Sequence, residues 1–295
     1  MLGARSALFL PFDNLGLIIV DEEHEPSFKQ YQPSPRYHTR DAAIYLSYLH
    51  QSKVLLGSAT PSLESYYNAQ NNKFGLVELN FRFADMQLPE IHTVDIKKAH
   101  LKKQMEYHFS PFLLKNISEA LQKNKQVILF QNRRGYAPLL ECNLCSWTPS
   151  CSNCDVSLTY HKSTNSLRCH YCGFRAHKKL SCQSCGHNEM IDKGFGTEQI
   201  EEELKVLFPD AKTQRMDHDT TRKKHSYSAI IDDFERGNTD ILIGTQMVTK
   251  GLDFDNVEVV GILHADRMLK FPDFRALERA YQLMSQVAGR AGRKG

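Results

Sequence analysis

Four absences narrow what this sequence can encode. It contains no glycine-rich phosphate loop of the form G-x-x-x-x-G-K-[ST], so half of a common ATP site is missing. No stretch reaches the roughly 18 apolar residues of a membrane-spanning helix. Residues 1–20 lack the unbroken apolar core and the cleavage site of a signal peptide. Cysteine is absent outside residues 142–185. We therefore expect a cytoplasmic protein, in which reduced cysteines favour metal binding over disulfide bonds.

The composition is that of a folded protein. The chain has 295 residues, of which 41% are hydrophobic and 24% are charged, so packed cores are expected rather than disorder. The formal net charge is +3. Thiolates on all the cysteines, with two bound Zn²⁺, would lower this charge to about −1. The net charge therefore does not indicate whether the chain binds nucleic acid.

The eight cysteines form four C-x-x-C pairs, which is a strong signal for metal binding. They are Cys142/Cys145, Cys151/Cys154, Cys169/Cys172 and Cys182/Cys185. A hairpin of strands at Val156–His161 and Ser166–His170 would bring the two inner pairs together in one Cys₄ zinc ribbon, which leaves the outer pairs for a second site. Four thiolates leave no open position for water, so both zinc ions are expected to be structural. Disulfides or unpaired buried cysteines are the less favoured alternative.

Short apolar runs alternate with stretches of helical periodicity, which predicts an α/β fold with parallel sheets. The predicted strands are Leu15–Val20, Val54–Leu56, Val127–Phe130, Ile241–Ile243 and Val257–Leu263. The predicted helices are Arg40–His50, Phe112–Lys123, Glu198–Phe208, Tyr227–Arg236 and Phe274–Ala288. Each strand ends in a polar or small cluster. Ligands of open α/β sheets bind beyond such strand ends.

Two of these segments carry side chains suited to phosphate chemistry. Asp21–His24 has the form D-E-x-H, in which one carboxylate can hold Mg²⁺ and another can orient a water. Gln286, Arg290 and Arg293 share one face of the last helix, where arginines could stabilise a transferring phosphoryl group. Taken separately, a solvated turn and a solvated basic helix end are the alternatives.

Taken together, the motifs resemble those of superfamily 2 helicases, in the order of that family. They are Asp21–His24, Ser58–Thr60, Gly244–Asp253 and Gln286–Arg293. The cysteine block within the second lobe makes the chain similar to the replication-restart helicases in particular. That similarity also covers Gly3–Ala7, Asn132–Tyr136 and Gly194–Glu198.

The resemblance implies two RecA-like lobes that clamp ATP while single-stranded DNA crosses both, with the first lobe incomplete here. It implies that Asp21 serves Mg²⁺ and that Glu22 serves the hydrolytic water. Ser58 and Thr60 would couple hydrolysis to DNA. The second lobe would complete the nucleotide site, with an arginine acting as the finger, through Gly251, Asp253, Gln286, Arg290 and Arg293.

A proline-containing loop after the D-E-x-H segment carries aromatic and basic side chains, which suits base stacking and phosphate contact. Its candidates for DNA contact are Phe28, Tyr31, Tyr37 and Arg40. The resemblance supports this interpretation, because the family has an aromatic-rich loop here. The alternative is that the aromatic rings pack into the lobe. Arg133 and Thr245 are weaker candidates for contact with the DNA backbone.

The predicted organisation is a first lobe at residues 1–88 and a second lobe at 89–139 and 188–295, with a two-zinc insertion at 140–187. The resemblance implies an ATP-dependent 3′-to-5′ helicase that acts on single-stranded and forked DNA and restarts replication. Primosome and single-strand-binding proteins are the implied partners. Because the family carries its phosphate loop upstream, a fragment with negligible ATP hydrolysis of its own is expected. The alternative function is a zinc-ribbon module that docks DNA or protein without ATPase activity.

Overall fold

The computed structural model describes most of the chain, and its described residues fall into two units, Met1–Asn80 and Phe81–Gly295. The described ranges are 2–80, 89–131, 139–145, 147–154, 156–161, 164–178, 181–191, 196–217, 220–221, 226–245 and 254–290. Among them, no helix combines the length and the apolar character needed to cross a bilayer.

The first unit contains a β-α-β arrangement. Strand β1 (Leu17–Val20) pairs in parallel with β2 (Lys53–Leu56), and helix α1 (Thr39–Leu49) lies between them in the chain. Helix α2 (Leu63–Gln70) follows β2, and Ser62 caps it by accepting a hydrogen bond from the N–H of Ser65. Because the strands are parallel, their carboxyl ends meet at one edge of the sheet.

The second unit is built on a sheet of four parallel strands, which are β3 (Gln126–Gln131), β9 (Thr213–Met216), β10 (Ile241–Gly244) and β11 (Val257–Leu263). Their order across the sheet is β11-β3-β10-β9. Every residue of β3 is buried, as the unbroken apolar run predicts for a strand covered on both faces. The parallel α/β prediction is confirmed.

Alternate residues of β3 pack into two hydrophobic cores, one on each face of the sheet. Val127 and Leu129 pack with α4 (Pro111–Gln122) and α5 (Thr197–Leu207) on one face of the sheet. On the other face, Ile128 and Phe130 share a core with two helices, α6 (Ser226–Glu235) and α8 (Ala276–Ala288). Because successive side chains of a strand point to opposite faces, α4 and α5 cover one face of the sheet, and α6 and α8 cover the other. The short helices α3 (Ile96–Leu101) and α7 (Asp266–Leu269) lie before α4 and before α8 in the chain.

The cysteine-rich segment forms small antiparallel sheets within the second unit. Strand β4 (Glu141–Cys142) pairs with β8 (Met190–Ile191), and three further strands form a sheet. These are β5 (Thr159–His161), β6 (Ser166–Arg168) and β7 (Arg175–His177). The predicted hairpin is present with shorter strands. The sequence did not predict β7, because Arg-Ala-His shows no strand pattern.

Candidate functional site

The D-E-x-H segment begins where β1 ends, and its first two carboxylates are exposed. Asp21 Oδ1 accepts a hydrogen bond of 3.0 Å from the backbone N–H of Glu22. Glu22 has a φ of 50°, in the left-handed region that costs strain for a residue other than glycine. Its side chain is 51% exposed. A solvent-accessible carboxylate at a strand end can bind Mg²⁺, and a second one beside it can orient a water molecule.

His24 joins the D-E-x-H segment to the Ser-Ala-Thr segment after β2. Its Nδ1 is hydrogen-bonded with Ser58 Oγ at 2.7 Å, and its Nε2 lies 3.4 Å from Thr60 Oγ1. Glu22 Oε2 lies 3.6 Å from the same Nδ1. The N–H of Thr60 donates to Ser58 Oγ at 3.0 Å. The parallel pairing of β1 with β2 thus brings four polar side chains of the two segments into one network.

Glu23, which the sequence did not single out, is a deeply buried carboxylate in the same turn, with 1% of the residue exposed. It accepts hydrogen bonds from the backbone N–H of Ser62 at 2.6 Å, from Ser62 Oγ at 3.0 Å and from Ser65 Oγ at 2.9 Å. Arg40 Nη1 donates to it at 3.2 Å. These bonds fasten the D-E-x-H turn to the first turn of α2.

Arg40, a candidate for DNA contact, lies against protein groups. Besides Glu23 it contacts Ser62 Oγ at 2.6 Å, and its Nε contacts Asp41 Oδ1 at 2.8 Å. Only 11% of its side chain is exposed. Hydrogen bonding to these carboxylates raises the pKa of Arg40 despite the opposing effect of burial, which is the largest single influence on it. The guanidinium therefore neutralises Glu23 and holds α1 beside the D-E-x-H turn.

Replacement of Arg40 by methionine is expected to destabilise the first unit by about 3 kcal/mol, because it leaves a buried carboxylate without its cation. Hydrogen–deuterium exchange in α1 and α2 measures this loss. The control is Arg36→Met, which removes an exposed arginine from the neighbouring loop. Equal exchange rates in the two variants would show that the buried ion pair adds no stability.

The aromatic and basic loop is closed by backbone bonds at its base. Lys29 and His38 form an isolated bridge, and the N–H of Gln30 donates to the Tyr37 carbonyl at 2.9 Å. Tyr37 packs edge-on against Phe9, with ring centroids 4.8 Å apart.

The three aromatic candidates in this loop differ in exposure. Phe28 is half-buried, whereas Tyr31 is 62% exposed. Tyr37, held against Phe9, is also half-buried. Among them, Tyr31 is therefore the ring most available for stacking.

In the second unit, the structure describes part of the candidate site. Thr245 follows β10 and is buried, while Gln286 and Arg290 are half-buried at the carboxyl end of α8. The remaining candidates lie outside the described residues, namely Arg133, Gly251, Asp253 and Arg293.

The cysteines form two four-sulfur clusters with the nested pairing that the sequence predicts. Within each cluster the sulfur atoms all lie within 4.8 Å of one another. The first contains Cys142, Cys145, Cys182 and Cys185, and the second contains Cys151, Cys154, Cys169 and Cys172. Individual Sγ–Sγ distances are 3.6 Å for Cys142 with Cys185 and 3.5 Å for Cys151 with Cys172.

This geometry fits two structural zinc ions. Bonds of about 2.3 Å to a central zinc place tetrahedral sulfurs just under 4 Å apart, close to the distances in both clusters. Burial raises the pKa of Cys142 to about 12. The backbone N–H of Phe174 lowers the pKa of Cys172 to about 7, whereas a hydrogen bond with Cys172 raises the pKa of Cys154 to about 12. Metal-free sulfurs thus share protons that a zinc ion would replace.

His264 is a further buried group, which follows β11 at a strand end that the sequence marked as polar. Burial lowers the pKa of His264 to about 3, and electrostatic interactions with Arg267, His108 and His100 act in the same direction. His108 is itself bound to Glu203, with Nδ1 and Oε1 2.6 Å apart. His264 therefore stays neutral in the folded unit at pH values where an unfolded chain would bind a proton.

This difference predicts a loss of stability in mild acid. Because the folded pKa lies below the unfolded value, stability falls as the pH drops through 6.5 towards 3, by about 0.8 kcal/mol between pH 7.5 and 6.0. His264→Asn should remove this increment, and asparagine tolerates the φ of 49° at this position. Urea unfolding at the two pH values measures it, with the half-exposed His92→Asn as control. An unchanged pH dependence in His264→Asn would contradict the assignment.

Two parts of the chain match models of known protein families. Residues 151–176 match the family model described as the PriA DNA helicase Cys-rich region domain. Residues 184–295 match the helicase conserved C-terminal domain. The two matches cover the second cysteine cluster and the part of the second unit that runs from α5 to α8.

Curated relatives match nearly the whole chain. The replication restart protein PriA of Bacillus subtilis is 45% identical over 99% of this chain and 36% of its own length. The proteins of the same name from Chlamydia pneumoniae and Haemophilus influenzae are also 45% identical over 99% of this chain, and the matches cover 39% and 40% of their lengths. The chain thus spans about two fifths of these relatives. With its two Cys₄ clusters, parallel sheets and helicase motifs, the chain belongs to the PriA family.

Proposed function

We propose that this chain is part of an ATP-dependent DNA helicase that moves 3′ to 5′, acts at stalled or abandoned replication forks and restarts replication. The observation that carries this proposal is the network at the edge of the first unit. It leaves Asp21 and Glu22 exposed for a nucleotide and links Glu22 through His24 to Ser58 and Thr60. A change at the nucleotide can thereby reach the segment that follows β2.

In this proposal Asp21 holds Mg²⁺ through water and Glu22 orients the water that attacks the γ-phosphate. In the second unit, Gln286 of α8 and Arg290, which follows the end of that helix, bind the nucleotide together with Gly251, Asp253 and Arg293, and an arginine stabilises the transferring phosphoryl group. Thr245 and Arg133 contact the DNA backbone. Forked DNA, primosome proteins and single-strand-binding proteins are the proposed partners, in the cytoplasm.

The test of the proposal is a transplant of this chain into the matching segment of the Bacillus subtilis relative. Hydrolysis of ATP by the chimera should rise when single-stranded DNA is added. The isolated chain, which contains no phosphate-loop motif, should show little turnover. A chimera that folds and binds zinc but hydrolyses no ATP with or without DNA would contradict the proposed function.

Tyr31 is expected to carry part of the response to DNA. In the chimera, Tyr31→Ala should raise the DNA concentration for half-maximal stimulation about tenfold, because one stacked base contributes roughly 1–3 kcal/mol. Basal hydrolysis should stay unchanged. Tyr48→Ala is the matched control, since Tyr48 is an exposed tyrosine on α1 outside the loop. Equal losses of basal and stimulated hydrolysis would indicate a packing role for Tyr31.

A second candidate is a zinc module that docks nucleic acid without hydrolysis. Residues 156–180 contain five lysines and arginines and no acidic residue. Arg168 and Arg175 lie directly opposite each other on β6 and β7, and both are exposed. Salt-sensitive DNA binding by the isolated chain that is lost in Arg168→Met/Arg175→Met would support this candidate. Hydrolysis in the chimera distinguishes the helicase from it.

A further inference from the structure

The two zinc clusters are each tied to the α7–α8 region of the second unit by a side chain next to a zinc ligand. Glu141 immediately precedes Cys142 of the first cluster and binds Arg267 of α7. Tyr171 lies between two ligands of the second cluster, and its hydroxyl oxygen accepts a hydrogen bond of 3.1 Å from the N–H of Phe274, just before α8.

The contact between Glu141 and Arg267 is a shielded, bidentate ion pair. Arg267 Nε donates to Glu141 Oε2 at 2.8 Å, and Nη2 donates to Oε1 at 2.6 Å. The side chains are 17% and 10% exposed for Arg267 and Glu141 respectively. Two parallel charge-assisted bonds with little access to water fix both the distance and the orientation of the partners. Exposed surface pairs lack this constraint.

The Tyr171 contact adds a second, independent point of attachment. Its ring meets Phe274 edge-on, with centroids 6.4 Å apart, in addition to the backbone hydrogen bond. Arg275 and Arg279 in the adjoining first turn of α8 form ion pairs with Glu278 and Asp273. The start of α8 is thus held by two local ion pairs, and Tyr171, which lies between two ligands of the second cluster, contacts the residue just before it.

Both contacts lie at the α7–α8 region, and α8 carries Gln286 and is followed by Arg290. Met268 of α7 shares a core with Ala280 and Val287 of α8, so the two helices pack as one body. Strand β4, which holds Glu141, has two residues and one partner strand, β8. Such a short strand keeps its position through the zinc ligand Cys142 more than through its own ladder.

We propose that Arg267 and Tyr171 are positioning residues that make the order of α8 depend on zinc in the cysteine clusters. Loss of zinc frees Glu141 and Tyr171 from their fixed places, and the two attachments of the α7–α8 body are lost with them. Gln286 then lies in a less ordered helix, and Arg290 follows its less ordered end. The inference concerns the structure of this chain and stands independently of the proposed helicase activity.

Hydrogen–deuterium exchange on the zinc-loaded and the chelator-treated chain tests this coupling. Zinc removal should accelerate amide exchange in Ala276–Ala288 by at least about tenfold. Exchange in α4, which packs on the opposite face of the sheet, should change far less. Equal acceleration in both helices would mean general unfolding and would overturn the proposal, as would unchanged exchange in α8.

Variants identify the side chains that transmit the effect. Arg267→Met/Tyr171→Phe should exchange rapidly in α8 with zinc still bound, and zinc removal should then add little. The charge-swapped Glu141→Arg/Arg267→Glu variant keeps opposite charges at the two positions. Its amide exchange in α8 should therefore be slower than that of Arg267→Met/Tyr171→Phe, which a purely local packing defect would not explain. Lys123→Met is the control, because it removes an exposed ion pair to Glu258 with the same 2.6 Å separation. Double-variant exchange equal to that of Lys123→Met would refute the roles of Arg267 and Tyr171.

Discussion

Replacement of Cys142 by serine is expected to lower bound zinc from two ions per chain to one and to unfold the first cluster. Structural zinc sites contribute on the order of 10 kcal/mol to folding, more than the small core of this segment can replace. That core consists of a few side chains around Leu140, Leu158, Tyr160 and Leu167. Metal analysis of freshly purified, reduced protein measures the loss.

Two comparisons make this measurement specific. Cys169→Ser should remove the other zinc ion, because the clusters share no ligand. Asn188→Ser introduces the same side chain at an exposed position of the segment and should keep both ions. Retention of two ions in Cys142→Ser, or fewer than two in the unaltered chain, would contradict the assignment of the clusters.

In the chimera with the Bacillus subtilis relative, Glu22→Gln is expected to reduce DNA-stimulated ATP hydrolysis about 10²- to 10⁴-fold, the usual contribution of a catalytic base. The amide keeps the size of the side chain but cannot accept a proton from the attacking water. Because half of the Glu22 side chain is exposed, the substitution should leave stability nearly unchanged.

The control for this result is Asp13→Asn, which neutralises an exposed carboxylate in the turn before β1. Its hydrolysis should equal that of the unaltered chimera. Binding of ATP should survive in Glu22→Gln, since the carboxylate acts on the water rather than on the phosphates. Full turnover in this variant would assign the catalytic base to another residue.

Much of the fold could be predicted because local patterns and tertiary structure agree. The apolar run of β3 fits a strand covered on both faces, and the four C-x-x-C pairs left few pairings for two metal sites. The exposed carboxylates Asp21 and Glu22 also followed from the sequence, since a strand end that feeds a polar cluster is the usual ligand edge of a parallel sheet.

The interactions that were missed join residues far apart in the chain. Glu23 and Arg40 are 17 residues apart in the chain, and Glu141 and Arg267 are 126 residues apart. No local periodicity encodes such pairs, because they depend on how elements pack. For the same reason, the sequence could not show that the guanidinium of Arg40, a candidate for DNA contact, lies against Glu23, Asp41 and Ser62.

The most direct measurement of the central claim is strand displacement by the chimera on duplexes with a single-stranded 3′ or 5′ tail. The account predicts that, with ATP, the chimera unwinds the 3′-tailed duplex, and that Glu22→Gln does not. Failure to unwind either duplex, in a chimera that holds two zinc ions and hydrolyses ATP, would contradict it.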